Sequence, residues 1–282
     1  MLTLLEIARL LKKVKVVAGR GEVSPELRGW SFDKPPVRPP AYLGLALSDF
    51  AYGYCPTGRN LYLKYVLGER GQPNRTLAEG QVLHAVLFRA VEDYKRFAYS
   101  GQPMSPPLEE VPEDLRPKAE ALYRYVAARL LGEHQYVLAS RTARSRDSAV
   151  FYVAPLSTQV AVDGTPLGLS TVVADGVALG AVVEFKFGPS QNVEAALAGY
   201  AMAIEAEWGV PIDYGIHVQV AVNSSVEYRA TAHFLGDAAR SKFLEMRDEA
   251  ADLVASGRDP GPAPDCSKAC PFYSTCHADR SR

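Results

Sequence analysis

Four cysteines place the strongest limit on how this chain can fold. Cys55 stands alone, while Cys266, Cys270 and Cys276 lie within eleven residues near the other end of the 282-residue sequence. Free thiols rarely crowd in this way. Four thiolates satisfy the ligand requirement of an iron–sulfur cluster or a zinc site. Zinc ligands usually come as two close pairs, so a one-plus-three pattern tilts the reading towards iron–sulfur; His277, beside Cys276, is the residue that could replace a thiolate at zinc. Either metal closes a loop of about 210 residues, a constraint of several kcal/mol on the unfolded chain. The region around Cys55 must therefore meet the C-terminal segment.

Disulfides would offer another use for these thiols only in an oxidising compartment. The first residues argue against export. Leu4, Ile7, Leu11 and Val14 recur at helical spacing, with Glu6 and Arg9 between them, whereas a signal peptide has an unbroken apolar stretch and a cleavage site. The expectation is an amphipathic first helix in a cytoplasmic protein. Apolar residues make up 48% of the chain and charged residues 22%, and no apolar run is long enough to cross a bilayer, so no membrane partner is expected. The net charge of −1 restricts any nucleic-acid surface to a local patch.

Periodicity divides the chain into segments. A Pro-rich connection over 19–42 leads to helical patterns at 57–67 and 76–98, the second with Thr76 and Glu79 as a capping box. A further helix is expected at 113–132. From Val150 short runs rich in β-formers predict strands at 150–154, 158–163, 168–174 and 181–187, then a helix at 190–208, strands at 212–222 and 226–234, and a helix at 236–256. This order predicts an α/β fold whose core sheet carries an N-terminal helical extension. The divisions are a mainly helical region over 1–149 carrying Cys55 and His84, a core over 150–256, and a cysteine-bearing segment over 257–282.

The stretch from Thr171 to Gly188 reads as a hairpin turning at Leu179–Gly180. Counting outward sets Asp175 opposite Glu184, and residues paired in this way share one face of a sheet. Lys186, two residues beyond Glu184, projects to that face. Two adjacent carboxylates repel one another unless a cation joins them. Mg²⁺ or Mn²⁺ suits an all-oxygen set, and a nearby lysine can orient water and offset phosphate charge, as phosphodiester hydrolysis requires. An exposed ion pair of Glu184 with Lys186 on an edge strand is the plainer alternative. His84 on an apolar helix and Tyr200 on the helix after the hairpin both read as core residues when taken singly.

Taken together, the order Cys55, His84, Asp175, Glu184-Phe185-Lys186, Tyr200, Cys266, Cys270 and Cys276 resembles the CRISPR-associated RecB-like exonucleases, the Cas-four family. The segments Cys55-to-Leu63 and Leu197-to-Glu205 look closest to its archaeal a-subtype branch. The resemblance implies a RecB-like PD-(D/E)xK nuclease core, a central mixed sheet flanked by helices, with an iron–sulfur cluster domain; 4Fe–4S is favoured and 2Fe–2S is the alternative. It implies metal ligation by His84, Asp175, Glu184 and the carbonyl of Phe185, with Lys186 positioning the attacking water and Tyr200 in the following helical motif. It further implies trimming of single-stranded DNA or DNA ends in spacer acquisition, alongside the CRISPR integrase and other adaptation proteins, with a homo-oligomer as one possible assembly. The rival readings are a RecB-like nuclease of general repair and a weakly active or inactive DNA-binding subunit. Two departures stand out. Ala196 replaces the glutamine usual four residues before the tyrosine, and the short interval from Asp175 to Glu184 makes Asp163 the reserve aspartate.

Candidate phosphate contacts are Arg141, Arg144 and Arg146, interleaved with serines, for which a solvated loop is the alternative reading, and Arg59 and Lys64 beside the first cysteine. Tyr62 and Tyr65 are the aromatic candidates for stacking on unpaired bases, with core packing expected for at least one of them.

Overall fold

The helices of the first half form where apolar stripes coincide with good caps. The computed structural model describes residues 2–18, 21–72, 74–266, 268 and 270–280. Helix α1 (Leu4–Ala18) begins with Thr3 and Glu6 capping each other, and it buries Leu2, Ile7 and Leu11. Two short turns follow, α2 (Leu47–Phe50) and α3 (Arg59–Leu61), the latter running into a π-type turn at Tyr62–Val66. The long α4 (Arg75–Ser100) is capped by Asn74, whose side chain accepts from the Leu77 amide at 3.0 Å. The predicted Thr76–Glu79 box does not form, because Glu79 is engaged instead by Lys118 of α5 (Arg116–Ala139).

A second correction concerns residues 150–154. Their β-forming side chains predict a strand, yet they end helix α6 (Arg146–Val153). Ser145 and Ser148 bond reciprocally at its start, and Ala149, Val150 and Val153 are buried. A strong cap and a packed face override β-propensity here.

Five strands make one mixed sheet in the order β1-β2-β3-β4-β5: β1 (Ser157–Val162), β2 (Val172–Ala178), β3 (Ala181–Lys186), β4 (Tyr214–Val222) and β5 (Val226–Phe234). Only β3 and β4 run parallel, and α7 (Val193–Trp208) makes the connection between them. Helix α8 (Asp237–Ser256) follows the sheet, and α9 (Tyr273–Arg280) lies in the C-terminal segment. One face of the sheet, through Val183, Phe185, Ile216 and Val218, packs on α1, α4, α5 and α6. The other, through Val182, packs on α7, α8 and the chain from Val23 to Tyr52. The architecture is thus a mixed α/β fold with helices on both faces. Among the described residues no helix is long and apolar enough to cross a membrane.

The second layer is pinned by a buried charge. Glu205 on α7 is fully buried and accepts from Arg240 at 2.7 and 2.9 Å, from Arg28, and from the amides of Gly29 and Ile212. Burial raises its carboxyl, but Arg240 and the two amides together outweigh that and hold it below the ordinary value. Gly29 is required at this contact, since a Cβ there would come within 1.9 Å of the Met202 carbonyl oxygen. Glu205→Ala would strand the fully buried Arg240 and should cost about 3–5 kcal/mol in denaturant unfolding. A loss below about 1 kcal/mol would show that the network does not hold this layer.

Candidate active site

The hairpin turns at Leu179 and Gly180, both left-handed at φ 50° and 70°, with Ala178 opposite Ala181 as the count from the sequence predicts. The β2–β3 ladder then stops at Gly176 opposite Val183. Beyond it the arms part, and the Asp175 carboxylate accepts the Phe185 amide at 2.7 Å, a bond the ladder would otherwise make. Asp175 and Glu184 are therefore neighbours across a gap rather than a ladder pair sharing one face. On β1, Gln159 falls opposite Asp175 in register and is also left-handed, at φ 53°. This local twist turns Asp175 out of the regular pleat. Because N–H and C=O of one strand residue point the same way, the Phe185 carbonyl also faces the Asp175 side.

Glu184 is 4% exposed and has two unlike oxygens. Oε1 accepts from Lys186 Nζ at 2.6 Å and from the Tyr52 hydroxyl at 2.8 Å. Oε2 is buried and has no partner among the described residues. An unpaired buried carboxylate oxygen is costly and calls for a ligand. Burial works against the Lys186 charge, but Glu184 overcomes it and holds the ammonium above the ordinary lysine range. Lys186 Nζ also lies 4.1 Å from the centre of the Tyr52 ring. Tyr200, on α7, is buried, and its hydroxyl is pushed well up by burial and by the nearby Glu184.

His84 reaches this point from the opposite layer. Its Nδ1 is 3.5 Å from Asp175 Oδ1, and its ring meets Phe187 edge-on at 5.0 Å. Burial and then Lys186 bring the imidazole down to about 4, so it is neutral near pH 7. Burial and then Glu184 push Asp175 up to about 8. A neutral imidazole and a carboxyl that resists ionising beside a second carboxylate are the donor set that a divalent cation stabilises. The residues fit such an ion. Among the described residues, however, no three His, Cys, Asp or Glu side chains stand ready-made as ligands, so ligation requires them to rotate.

The four cysteines lie near one another at the far end of the Tyr52–Cys55 segment, although among the described residues no three of them stand as ready-made ligands. Cys276 is buried beneath Leu63 and Phe272, with Cys266 and Cys270 packed alongside. Burial pushes the thiols of Cys270 and Cys276 up; Cys270 also feels the charge of the other three cysteines, and Cys276 that of Cys266 and Cys55. All four are free thiols. This donor set fits an iron–sulfur cluster and equally a four-thiolate zinc site. The two chain segments are held together by other bonds as well. Thr57 donates to the Gly261 carbonyl at 2.9 Å, and the Gln72 amide donates to the Pro271 carbonyl at 2.8 Å.

Several expected contacts lie elsewhere. Arg59 is 5% exposed and makes a bidentate pair with Asp259, so it clamps the C-terminal segment rather than lining a DNA path. Lys64 pairs with Asp49 at 2.7 Å and covers the Tyr65 ring, while the Tyr65 hydroxyl bonds Asp49. Neither is a free contact for phosphate or base, and Tyr62 packs against the cysteines. Arg141, Arg144 and Arg146 are exposed, but Arg146 bonds the Tyr99 carbonyl, fifteen residues along α4 from His84 and thus about 22 Å away. Asp163, the reserve aspartate, is exposed in a turn that accepts the Thr165 amide, away from the hairpin gap. Ala196 is fully buried. Sequence reasoning missed Tyr52 and Tyr54; their proximity to Cys55 is the one signal that pointed to them.

Comparison with known proteins gives a consistent picture. A family model described as CRISPR-associated exonuclease Csa1 matches residues 1–280. A protein of that name from Thermoproteus tenax (strain Kra 1) is 76% identical over 278 residues, covering 99% of this chain and all of the relative. Another from Saccharolobus solfataricus (strain P2) is 35% identical over 272 residues, covering 90% of this chain and 92% of the relative.

The Asp175 carboxyl gives the site a measurable signature. Its folded value of about 8 lies above the ordinary unfolded value near 4, so proton uptake favours the folded state. That stability is complete below about pH 4 and is lost as pH rises through about 8. In chelator, melting temperature should fall between about pH 5 and pH 9, and Asp175→Asn should flatten that fall. Equal slopes for wild type and variant would place the proton elsewhere.

Proposed function

Because this chain belongs to the Csa1 family of CRISPR-associated exonucleases, we propose that it trims single-stranded DNA ends during CRISPR spacer acquisition, using a divalent cation at the hairpin gap. The observation that carries the reading is the bare Oε2 of buried Glu184, set beside Asp175 and a neutral His84. We assign the fold to the RecB-like nuclease type because the two carboxylates, the lysine and Tyr200 converge where a mixed sheet parts.

His84, Asp175, Glu184 and the Phe185 carbonyl would hold Mg²⁺ or Mn²⁺. When bound, that ion would polarise the scissile phosphate and acidify water. The chain's own residues do the rest. Tyr52 and Lys186 fix the rotamer of Glu184 by occupying Oε1, which leaves Oε2 without a donor among the described residues. Lys186 remains a cation and can orient water and offset phosphate charge. Cys55, Cys266, Cys270 and Cys276 would hold an iron–sulfur cluster, 4Fe–4S in our reading, that fastens the Tyr52–Cys55 segment to the C-terminus. DNA ends are the substrate, and the CRISPR integrase and other adaptation proteins are the partners in this reading.

Glu184→Ala and Lys186→Ala should each abolish metal-dependent cleavage of single-stranded DNA, while anaerobically purified protein keeps its brown colour. Cys270→Ser should bleach the protein and reduce its solubility. Wild type that is brown yet cleaves nothing with Mn²⁺ would favour a DNA-binding subunit, the reading to which the closed position of Ala196 lends weight. A colourless protein with stoichiometric zinc would overturn the cluster assignment.

A further inference from the structure

The site has an aromatic floor and an aromatic surface that cleavage chemistry does not use. Tyr52 is 1% exposed, locked from below by its hydroxyl bond to Glu184 and by the Lys186 ammonium against its ring. Tyr54 is 55% exposed, and its ring lies on that of Tyr52 with centroids 5.4 Å apart and planes 24° from parallel. Successive same-face residues of a strand would stand about 6.6 Å apart. Gly53, left-handed at φ 62°, bends the chain and closes that spacing. A Cβ at Gly53 would come within 2.8 Å of the Asn192 side chain, so the bend is also seated against the start of α7.

The outer face of Tyr54 is thus a rigid ring open to solvent, one ring away from the lysine that would meet the reacting phosphate. The Tyr54 hydroxyl is pushed up mainly by burial, with Lys186 opposing and Glu184 adding, so its lower edge lies within reach of both charges.

We propose that Tyr54 is the stacking platform for an unpaired nucleobase next to the scissile phosphate, held in place from beneath by Tyr52. This rests on the nuclease reading above and adds to it the subsite that selects single strands. A ring face accepts any base, since stacking on an aromatic side chain is tolerant of sequence. A base within a duplex has both faces covered by its neighbours and cannot use it. The platform is preorganised, because Tyr52 cannot turn without breaking its bond to Glu184. Exposed Tyr62 and Tyr65 faces would have served as well, but both rings are committed to packing and to Asp49.

The test is a single-stranded oligonucleotide series in which one abasic position is walked inward from the end, assayed for cleavage and for binding by fluorescence anisotropy. In wild type, one abasic position should reduce kcat/KM and affinity by roughly five- to a hundredfold. Tyr54→Ala should show that loss with intact DNA and no further loss at that position, whereas Tyr54→Phe should behave as wild type. Tyr54 is exposed, so these variants should fold, and unchanged colour and circular dichroism would check it. Tyr54→Ala with wild-type cleavage and binding, or with the wild-type sensitivity to the abasic position, overturns the proposal. If wild type cleaves nothing, the nuclease reading fails on its own. The anisotropy series then still decides whether a base stacks on Tyr54.

Discussion

The bond from the Tyr52 hydroxyl to Glu184 Oε1 is the contact on which the rest of the functional arrangement depends. Glu184 is a charge inside a packed layer, and such a charge cannot stand without donors. Lys186 on its own strand supplies one, and Tyr52, separated by 132 residues in sequence, supplies the other. Because Tyr52 lies three residues before Cys55, satisfying the carboxylate also fixes where the first cysteine emerges. The cysteine segment is then tied again through Thr57, through Arg59 to Asp259 and through Gln72 to Pro271. The Cys55 segment and the C-terminal segment are thereby both referenced to one buried carboxylate on β3.

The hairpin was legible because its cause is local. Leu179–Gly180 makes a two-residue turn with both residues left-handed, and such a turn sets the register of the strands that follow. Where the ladder breaks was not legible. It depends on Gln159 and on the Asp175 carboxylate taking the Phe185 amide, which is tertiary information. The misplaced strand at 150–154 has a related cause, since Val150, Phe151, Tyr152 and Val153 favour strands until the Ser145–Ser148 cap is considered. Arg59 shows the limit for charges. Sequence gives a basic residue near a cysteine, and only the fold shows that it is buried against Asp259. The resemblance placed His84 and Tyr200 in the site where periodicity alone read them as core; in the structure Tyr200 is buried and close to Glu184, and His84 is half-buried beside Asp175.

Two buried glutamates on adjacent elements show what separates a carboxylate that holds a fold from one poised for a ligand. Glu205 has both oxygens fully employed: Arg240 reaches each of them, and Arg28, Gly29 and Ile212 add further donors. Removing a donor there costs stability and opens no binding capacity. Glu184 has two donors on one oxygen and, among the described residues, none on the other. Asp175 is similar, with one oxygen on the Phe185 amide and the other turned towards a neutral imidazole.

Folding alone would favour filling these open positions, since an unsatisfied buried oxygen costs about 1–3 kcal/mol. The cost is concentrated at one point, where the hairpin arms part and the two helical layers meet. There the His84 side chain comes from the α4 layer, and Tyr52 and Tyr200 come from the α7 layer. Both donors to Glu184, from β3 and from the α7 layer, crowd on Oε1, while His84 of the α4 layer faces Asp175; a cation with water or phosphate oxygens has the charge to fill the position left at Oε2. On the proposed reading, the unsatisfied oxygen is the folded protein's half of a binding interaction rather than a packing defect.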